Sequence, residues 1–252
     1  MATDLLFVMS YEYGIGICGL LLIIPLMKRL RERKSAVTRY LVLCIFFLLG
    51  ADLISATSRI LRITNAWVVA PGKFLEILAF AVVSLAISDI FLLAFTLEVF
   101  YEGAFRGKNK GYMLAYIGLV AGYSAYALNS GLYSVDLTQE IWLLLILLSV
   151  VIYVFLIRSA FRLARRLEDP IMKRGMQLIG LGPVFLLMFF GCGMVDRILG
   201  GNFTPFYFVG MSLALGFIFI TYLGLIQPEW FKRQVKQSRK KPSKSLTSSR
   251  TK

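Results

Sequence analysis

The sequence predicts an all-α polytopic membrane protein, a bundle of seven transmembrane helices with its N-terminus outside the cell and its C-terminus in the cytoplasm. Three observations predict this fold class. Of the 252 residues, 58% are hydrophobic, which exceeds the roughly 45–50% apolar share of a typical soluble domain. These apolar residues form seven long runs, and the basic residues collect in alternate loops between the runs. Both patterns are typical of multi-pass proteins of the cell membrane.

Each apolar run approaches the roughly 20 residues that an α-helix needs to cross the hydrocarbon core. The seven runs cover residues 5–27, 40–58, 74–100, 111–128, 141–157, 175–195 and 203–226. They use almost all of residues 1–228, so the sequence predicts no separate soluble domain within that part of the chain.

The orientation follows from the distribution of Lys and Arg. Stretches 28–39, 106–110, 158–174 and 229–252 hold 24 of the 28 basic residues. Because positively charged loops stay in the cytoplasm, these stretches are predicted to lie inside. Asp4 and Glu12, rather than basic residues, accompany the start of the first run. The first run is therefore predicted to be a retained helix and not a cleavable signal peptide.

The region 229–252 is predicted to be a basic cytoplasmic tail that begins with a short interfacial helix. Pro228 precedes Trp230, Phe231 and Val235, which stand among basic residues. Such a segment favours the surface of a bilayer that contains anionic lipids. It serves either as a docking segment or simply as an orientation signal and lipid anchor.

Ionisable residues within the apolar runs are the candidate functional residues, because a charge in hydrocarbon is costly. Along the second run and just beyond its end, four polar residues are spaced three, four and three apart and so share one helical face: Asp52, Ser55, Arg59 and Arg62. Asp196 and Arg197 directly follow the sixth run, at a depth similar to that of Arg59, and Asp89 lies deeper in the third run.

These residues predict an outward-facing polar cavity that forms a ligand or ion pathway. The alternative interpretation is a set of interhelical hydrogen bonds and boundary charges that reach the membrane surface. An ion pair between Asp196 and Arg59, or between Asp52 and Arg197, is a further hypothesis.

Glycine and proline mark two other features. Gly180, Gly182 and Pro183 in the sixth run predict a hinge, since Pro removes a backbone donor from the helix. Gly118 and Gly122 in the fourth run form a small-residue contact motif. The sequence favours packing against another helix of the same bundle, and a dimer interface is the alternative.

The residue inventory narrows the function classes. The chain has no His, and no Lys lies in the seventh run to hold retinal. No metal or other cofactor and no enzymatic activity are therefore expected. No nucleic-acid partner is expected either, because the basic residues lie in the loops between apolar runs. In size and topology the chain resembles the seven-helix sensory regions that precede some signalling domains.

Two function classes remain open. The first is a sensor that binds a small ligand or lipid and signals to a cytoplasmic protein partner at the basic inner loops. The second is a small transporter, coupled to protons or another cation, that uses Asp52 and Asp89.

Overall fold

The structure of the protein is a computed structural model that describes residues 2–33, 35–63, 73–101, 103–133, 139–199 and 204–240. These residues form eight helices: α1 (Ala2–Arg33), α2 (Ala36–Ile63), α3 (Lys73–Phe100), α4 (Gly107–Tyr133), α5 (Gln139–Arg166), α6 (Pro170–Ile198), α7 (Pro205–Ile226) and α8 (Glu229–Lys240). Helices α1 to α7 are long and apolar enough to cross a membrane. The predicted all-α bundle of seven such helices is thus confirmed.

Several helices extend beyond the apolar runs that predicted them. α5 continues to Arg166 rather than ending near residue 157, and α4 begins at Gly107 rather than at residue 111. An apolar run marks only the part of a helix that enters the hydrocarbon core. The helix itself continues through neighbouring polar residues that favour helices, such as Arg162. Residue 203, the predicted start of the seventh run, lies outside the described residues, and α7 begins at Pro205.

Six of the helices form a closed ring. Neighbouring pairs are α1 with α2, α2 with α3, α3 with α5, α5 with α6, α6 with α7, and α7 with α1. α4 packs mainly on α3 and touches α5 only sparsely, so it lies outside the ring. The buried interior of the ring is mostly apolar, with Phe95 and Phe217 among its largest fully buried side chains.

α6 and α7 pack closely, because glycines on both helices remove the side chains that would hold them apart. A Cβ added at Gly224 would lie 2.8 Å from the carbonyl oxygen of Gly175, and one at Gly175 would lie 2.8 Å from the carbonyl oxygen of Gly224. Further along the pair, a Cβ at Gly216 would lie 2.8 Å from the Phe185 ring, and one at Gly210 would lie 3.2 Å from Cys192. We call this α6–α7 contact the glycine seam.

The predicted packing of Gly118 and Gly122 within the bundle is wrong. Both glycines are exposed on α4, and nothing in the described part of the chain lies within 4 Å of a Cβ added at either one. The reason is the position of α4, which contacts the ring through its other face, where Met113, Tyr116 and Val120 are buried. Spacing along one helix does not show which face meets its neighbours.

α7 and α8 meet at a sharp turn. Gln227 has a left-handed backbone, with φ of +48°, and its N–H donates to the carbonyl oxygen of Leu223. Pro228 follows and α8 begins at Glu229. The Gln227 side-chain amide lies 3.3 Å from the carbonyl oxygen of Gly224 and 3.5 Å from that of Ile171. The start of α8 is therefore held against the beginning of α6.

Candidate ligand cavity

A cavity of about 400 Å³ lies within the ring of six helices. Every ring helix contributes to its wall, and none of the lining residues comes from α4. The lining residues belong to the half of the bundle that contains the first turns of α1, α3, α5 and α7 and the last turns of α2 and α6. This is the half that the sequence predicts to face outside.

Most of the cavity wall is apolar. Leu48 and Leu49 of α2, Leu85 of α3, Ile146 of α5 and Met211 of α7 are among the residues that form it. These side chains alternate with others that face lipid, and only the packing of six helices brings them to one space. Such a wall has no hydrogen bond to offer a polar group, so it suits hydrocarbon.

Polar side chains collect at one part of the same cavity. Asp52, Ser55, Asp196 and Arg197, four of the seven residues predicted to form a pathway, all contribute to its lining. Ser58 of α2, three residues after Ser55, also lines the cavity, and its hydroxyl donates to the carbonyl oxygen of Ser55 at 2.6 Å. The cavity thus combines a long apolar wall with a charged end.

Arg59 and Arg62 belong to α2, but their side chains lie outside the described residues. Their predicted place in the pathway stays a prediction. The hypothesis of an ion pair between Asp196 and Arg59 falls outside the described residues for the same reason.

Asp196 holds the start of α7. Its Oδ1 accepts hydrogen bonds from both the backbone N–H and the hydroxyl of Thr204, each at 2.7 Å. Thr204 is the residue immediately before α7, where backbone N–H groups have no partner within the helix and favour a negative charge. Asp196 therefore links the last turn of α6 to the first turn of α7.

Arg197 is placed by an aromatic ring. Its guanidinium carbon lies 4.5 Å from the centre of the Trp142 ring, within the range of a cation–π contact. Among the ion pairs of the described residues, Arg197 has none with Asp52, so the hypothesis of that pair is wrong. The indole surface of α5 stabilises the guanidinium instead.

Sequence reasoning missed two polar residues of this cavity. Glu12 of α1 is 1% exposed, and it accepts a hydrogen bond from the Tyr207 hydroxyl of α7. Both side chains line the cavity. The signal for Glu12 was present, because an acidic residue within a predicted membrane span is itself a functional candidate. Tyr207 gave no such signal, since aromatic residues are common near the ends of membrane helices.

Asp89 does not line the cavity. It is 3% exposed, and its Oδ2 lies 2.5 Å from the Ser149 hydroxyl of α5. Tyr153 of α5 lies beside the Asp89 side chain. The structure therefore separates Asp89 from Asp52, the other carboxylate of the predicted transport path.

No family model, curated protein or solved structure matches this chain. The geometry of the cavity and of its surroundings is thus the basis for any functional proposal.

The predicted hinge residues of α6 lie deeper in the bundle than the α6 residues that line the cavity, and none of the three is itself a lining residue. α6 continues as a helix through Pro183, and both Gly180 and Gly182 are buried. A Cβ at Gly180 would lie 3.0 Å from Ala160 of α5, and one at Gly182 would lie 2.7 Å from the Thr221 hydroxyl of α7. These glycines therefore allow close packing on both neighbouring helices, and their role as a hinge stays a prediction.

Proposed function

We propose that this protein is a membrane sensor that binds a small amphipathic molecule or lipid in the cavity and transmits binding to a cytoplasmic partner. One observation carries the proposal, namely an apolar cavity with a charged end inside the helical ring. Its volume of about 400 Å³ falls within the range of roughly 300–1,000 Å³ that is typical of small-molecule sites. We place the protein in the cell membrane, with the cavity at its outer side.

The two parts of the cavity indicate the chemistry of its ligand. The apolar wall favours a hydrocarbon body, since burying apolar surface contributes about 25 cal/mol per Å². Glu12, Asp52, Asp196 and Arg197 at the other part favour a polar or charged head group. A ligand of this kind reaches the cavity from the outer leaflet or from the outer water phase.

The glycine seam supports the signalling part of the proposal. α6 and α7 carry cavity residues at one end, and at the other end they meet at Gly175 and Gly224, next to α8. Close backbone contact makes the pair move as one body, because neither helix can shift without displacing the other. Motion at the cavity would reach α8 and the basic stretch 158–174, where we place the cytoplasmic partner.

The transporter alternative has less support. A path for protons or another cation through Asp52 and Asp89 needs polar groups or water between the two carboxylates. Leu48, Leu85 and Ile146 instead form an apolar layer at the depth between them. An apolar layer favours a closed site that binds a molecule over an open path through the bundle.

Trp142 offers a direct test of ligand binding, because it lines the cavity. The chain has three Trp residues, so the double variant Trp67→Phe, Trp230→Phe leaves Trp142 as the only fluorophore. This protein, in lipid nanodiscs, would be titrated with a fatty acid, an alkylamine and an alkyl alcohol of equal chain length. We expect a saturable change in Trp142 emission with at least one probe. The head group of the probe that binds most tightly indicates the charge of the ligand.

A matched pair of variants controls for partitioning of the probes into lipid. Ala81 lines the cavity and is 4% exposed, so Ala81→Phe fills ligand space. Ala125 is exposed on α4, so Ala125→Phe makes the same change away from the cavity. We expect binding to weaken at least tenfold in Ala81→Phe alone. Equal responses in both variants, or no saturable response with any probe, would refute the binding proposal.

Flux and capture experiments separate the two function classes. A sensor gives no proton or cation flux in liposomes, whereas a transporter gives flux that Asp89→Asn abolishes. A sensor also predicts a cytoplasmic protein that cross-links to stretch 158–174 and is lost when the exposed Arg165 and Arg166 are changed to Gln. Flux that depends on Asp89 would replace the sensor proposal with the transporter.

A further inference from the structure

A second polar site lies one helical turn beyond the cavity floor. Leu48, Leu85 and Ile146 are the deepest cavity-lining residues of α2, α3 and α5, and we call them the cavity floor. Each has a polar residue three or four positions away, on the side remote from Asp196 and Arg197. One turn is about 6 Å of helix. The polar residues at this level form what we call the buried cluster: Cys44, Ser88, Asp89, Ser149 and Tyr153.

Hydrogen bonds link the buried cluster across α2, α3 and α5. The Ser88 hydroxyl donates to the carbonyl oxygen of Cys44 at 2.8 Å. The Ser149 hydroxyl oxygen lies 2.8 Å from the carbonyl oxygen of Leu145 and 2.5 Å from Oδ2 of Asp89. Every residue of the cluster is at most 3% exposed, so water does not compete for these contacts.

Two acceptors compete for the single proton of the Ser149 hydroxyl. A serine hydroxyl has a single proton to donate, yet two oxygen acceptors lie within hydrogen-bonding distance. If Asp89 were ionised, the two contacts would have to share that one proton in a weaker three-centre hydrogen bond. A proton on Asp89 removes the conflict, because Asp89 then donates to Ser149 and Ser149 donates to Leu145.

The surroundings of Asp89 favour the same state. Each of the three helices packed against α3 contributes titratable groups near Asp89: Cys44 of α2, Tyr116 and Tyr123 of α4, and Tyr153 of α5. All four are neutral at pH 7 in their ordinary state. No Lys or Arg among the described residues forms an ion pair with Asp89. An ionised carboxylate without a cation is costly in such a place.

We propose that Asp89 is a proton-binding site, which holds a proton as a neutral carboxylic acid in a closed compartment beneath the cavity. The acid donates to Ser149, and the Tyr153 hydroxyl lies beside it. Because the apolar floor keeps water away, the proton stays in place while the floor is closed. Entry of water through the floor would let Asp89 ionise, so the protonation state of Asp89 depends on whether the floor is closed. This inference does not depend on the identity, or on the existence, of a ligand in the cavity.

Infrared spectroscopy of the full chain in lipid bilayers tests the proposal without any ligand. A protonated carboxyl group has a carbonyl stretch that is distinct from the bands of a carboxylate and shifts in D₂O. We expect the spectrum of the unaltered protein minus that of Asp89→Asn to contain the protonated band at pH 7. Asp169→Asn, which changes an exposed carboxylate, should leave the protonated band unchanged. Carboxylate bands in the Asp89 difference spectrum would overturn the proposal.

A second variant keeps the test valid if Asp89→Asn does not fold. Ser149→Ala retains the acid but removes the acceptor of its proton. The carbonyl band is then expected to shift to higher frequency, since a hydrogen bond donated by the acid lowers it. A protonated band that does not move in Ser149→Ala, or that is missing from both the unaltered protein and this variant, would contradict the assignment.

Discussion

The glycine seam allows a quantitative test of the α6–α7 packing through the substitution Gly224→Ala. The new methyl carbon would lie 2.8 Å from the carbonyl oxygen of Gly175, 2.8 Å from Cγ1 of Ile179 and 3.1 Å from the backbone nitrogen of Ile179. Non-bonded carbon atoms prefer a separation of about 3.5–4.0 Å. Two of the three contacts are with backbone atoms, which cannot rotate away as a side chain can.

The expected magnitude follows from two opposing terms. Inserting a methyl group into a packed interface costs about 1–3 kcal/mol, and contacts with backbone atoms place this case in the upper half of that range. Replacing Gly by Ala within a helix contributes about 1 kcal/mol in the opposite direction. We therefore expect a net loss of about 1–2 kcal/mol, which corresponds to a fall in Tm of about 2–8 °C for a chain of this size.

Gly118→Ala is the matched control, because nothing in the described part of the chain lies within 4 Å of its added Cβ. The packing cost is absent there, so stability should stay equal or rise by up to about 1 kcal/mol. Thermal unfolding in a mild detergent can be followed through labelling of Cys44, which is 1% exposed, after Cys18 and Cys192 are replaced by Ala. If Gly224→Ala proves as stable as Gly118→Ala, α6 and α7 do not approach each other as closely at Gly175 and Gly224 as the 2.8 Å contact implies.

Three further predictions concern single contacts. The Thr221 hydroxyl is buried without a hydrogen-bond partner among the described residues. Thr221→Val replaces it with a methyl group of similar shape and should therefore keep or raise Tm. A loss of stability above about 1 kcal/mol would contradict this. Asp196→Ala removes both hydrogen bonds to Thr204 and should lower the free energy of unfolding by about 1.5–3 kcal/mol. Backbone hydrogen exchange should become faster in the first turn of α7 only. Unchanged exchange there would refute the link between α6 and α7 through Asp196. Trp230 is 51% exposed on α8 and should contact lipid. In a variant in which Trp67 and Trp142 are changed to Phe, brominated lipids should therefore quench the emission of Trp230. Emission without quenching would place α8 in water.

The number of membrane helices could be predicted from the sequence, because burial in lipid depends on local composition. A stretch such as residues 74–100 is apolar enough to enter hydrocarbon whatever its neighbours are, and α3 is found there as Lys73–Phe100. Helix ends were less predictable. α5 continues to Arg166 because a helix does not stop at the membrane surface.

The site could be predicted in part. The spacing of Asp52 and Ser55 places them on one face of α2 by helix geometry alone, and both line the cavity. Sequence reasoning also grouped Asp89 with them, although the structure buries Asp89 beneath the floor with Ser149. Depth along a helix can be counted from the sequence, but the partner on another helix cannot.

The amino-acid sequence by itself determined that seven helices enter lipid and which polar groups enter with them, since both depend on the free energy of transfer of each segment. Only the tertiary structure decided that α4 stands outside the ring, that its Gly118 meets no other helix among the described residues, and that Glu12 and Tyr207 meet at the cavity. The physical reason is that lipid surrounds every helix alike, so hydrophobicity cannot specify which faces touch. That choice depends on close packing, on glycines such as Gly175 and Gly224 that allow backbones to approach, and on the few hydrogen bonds between helices.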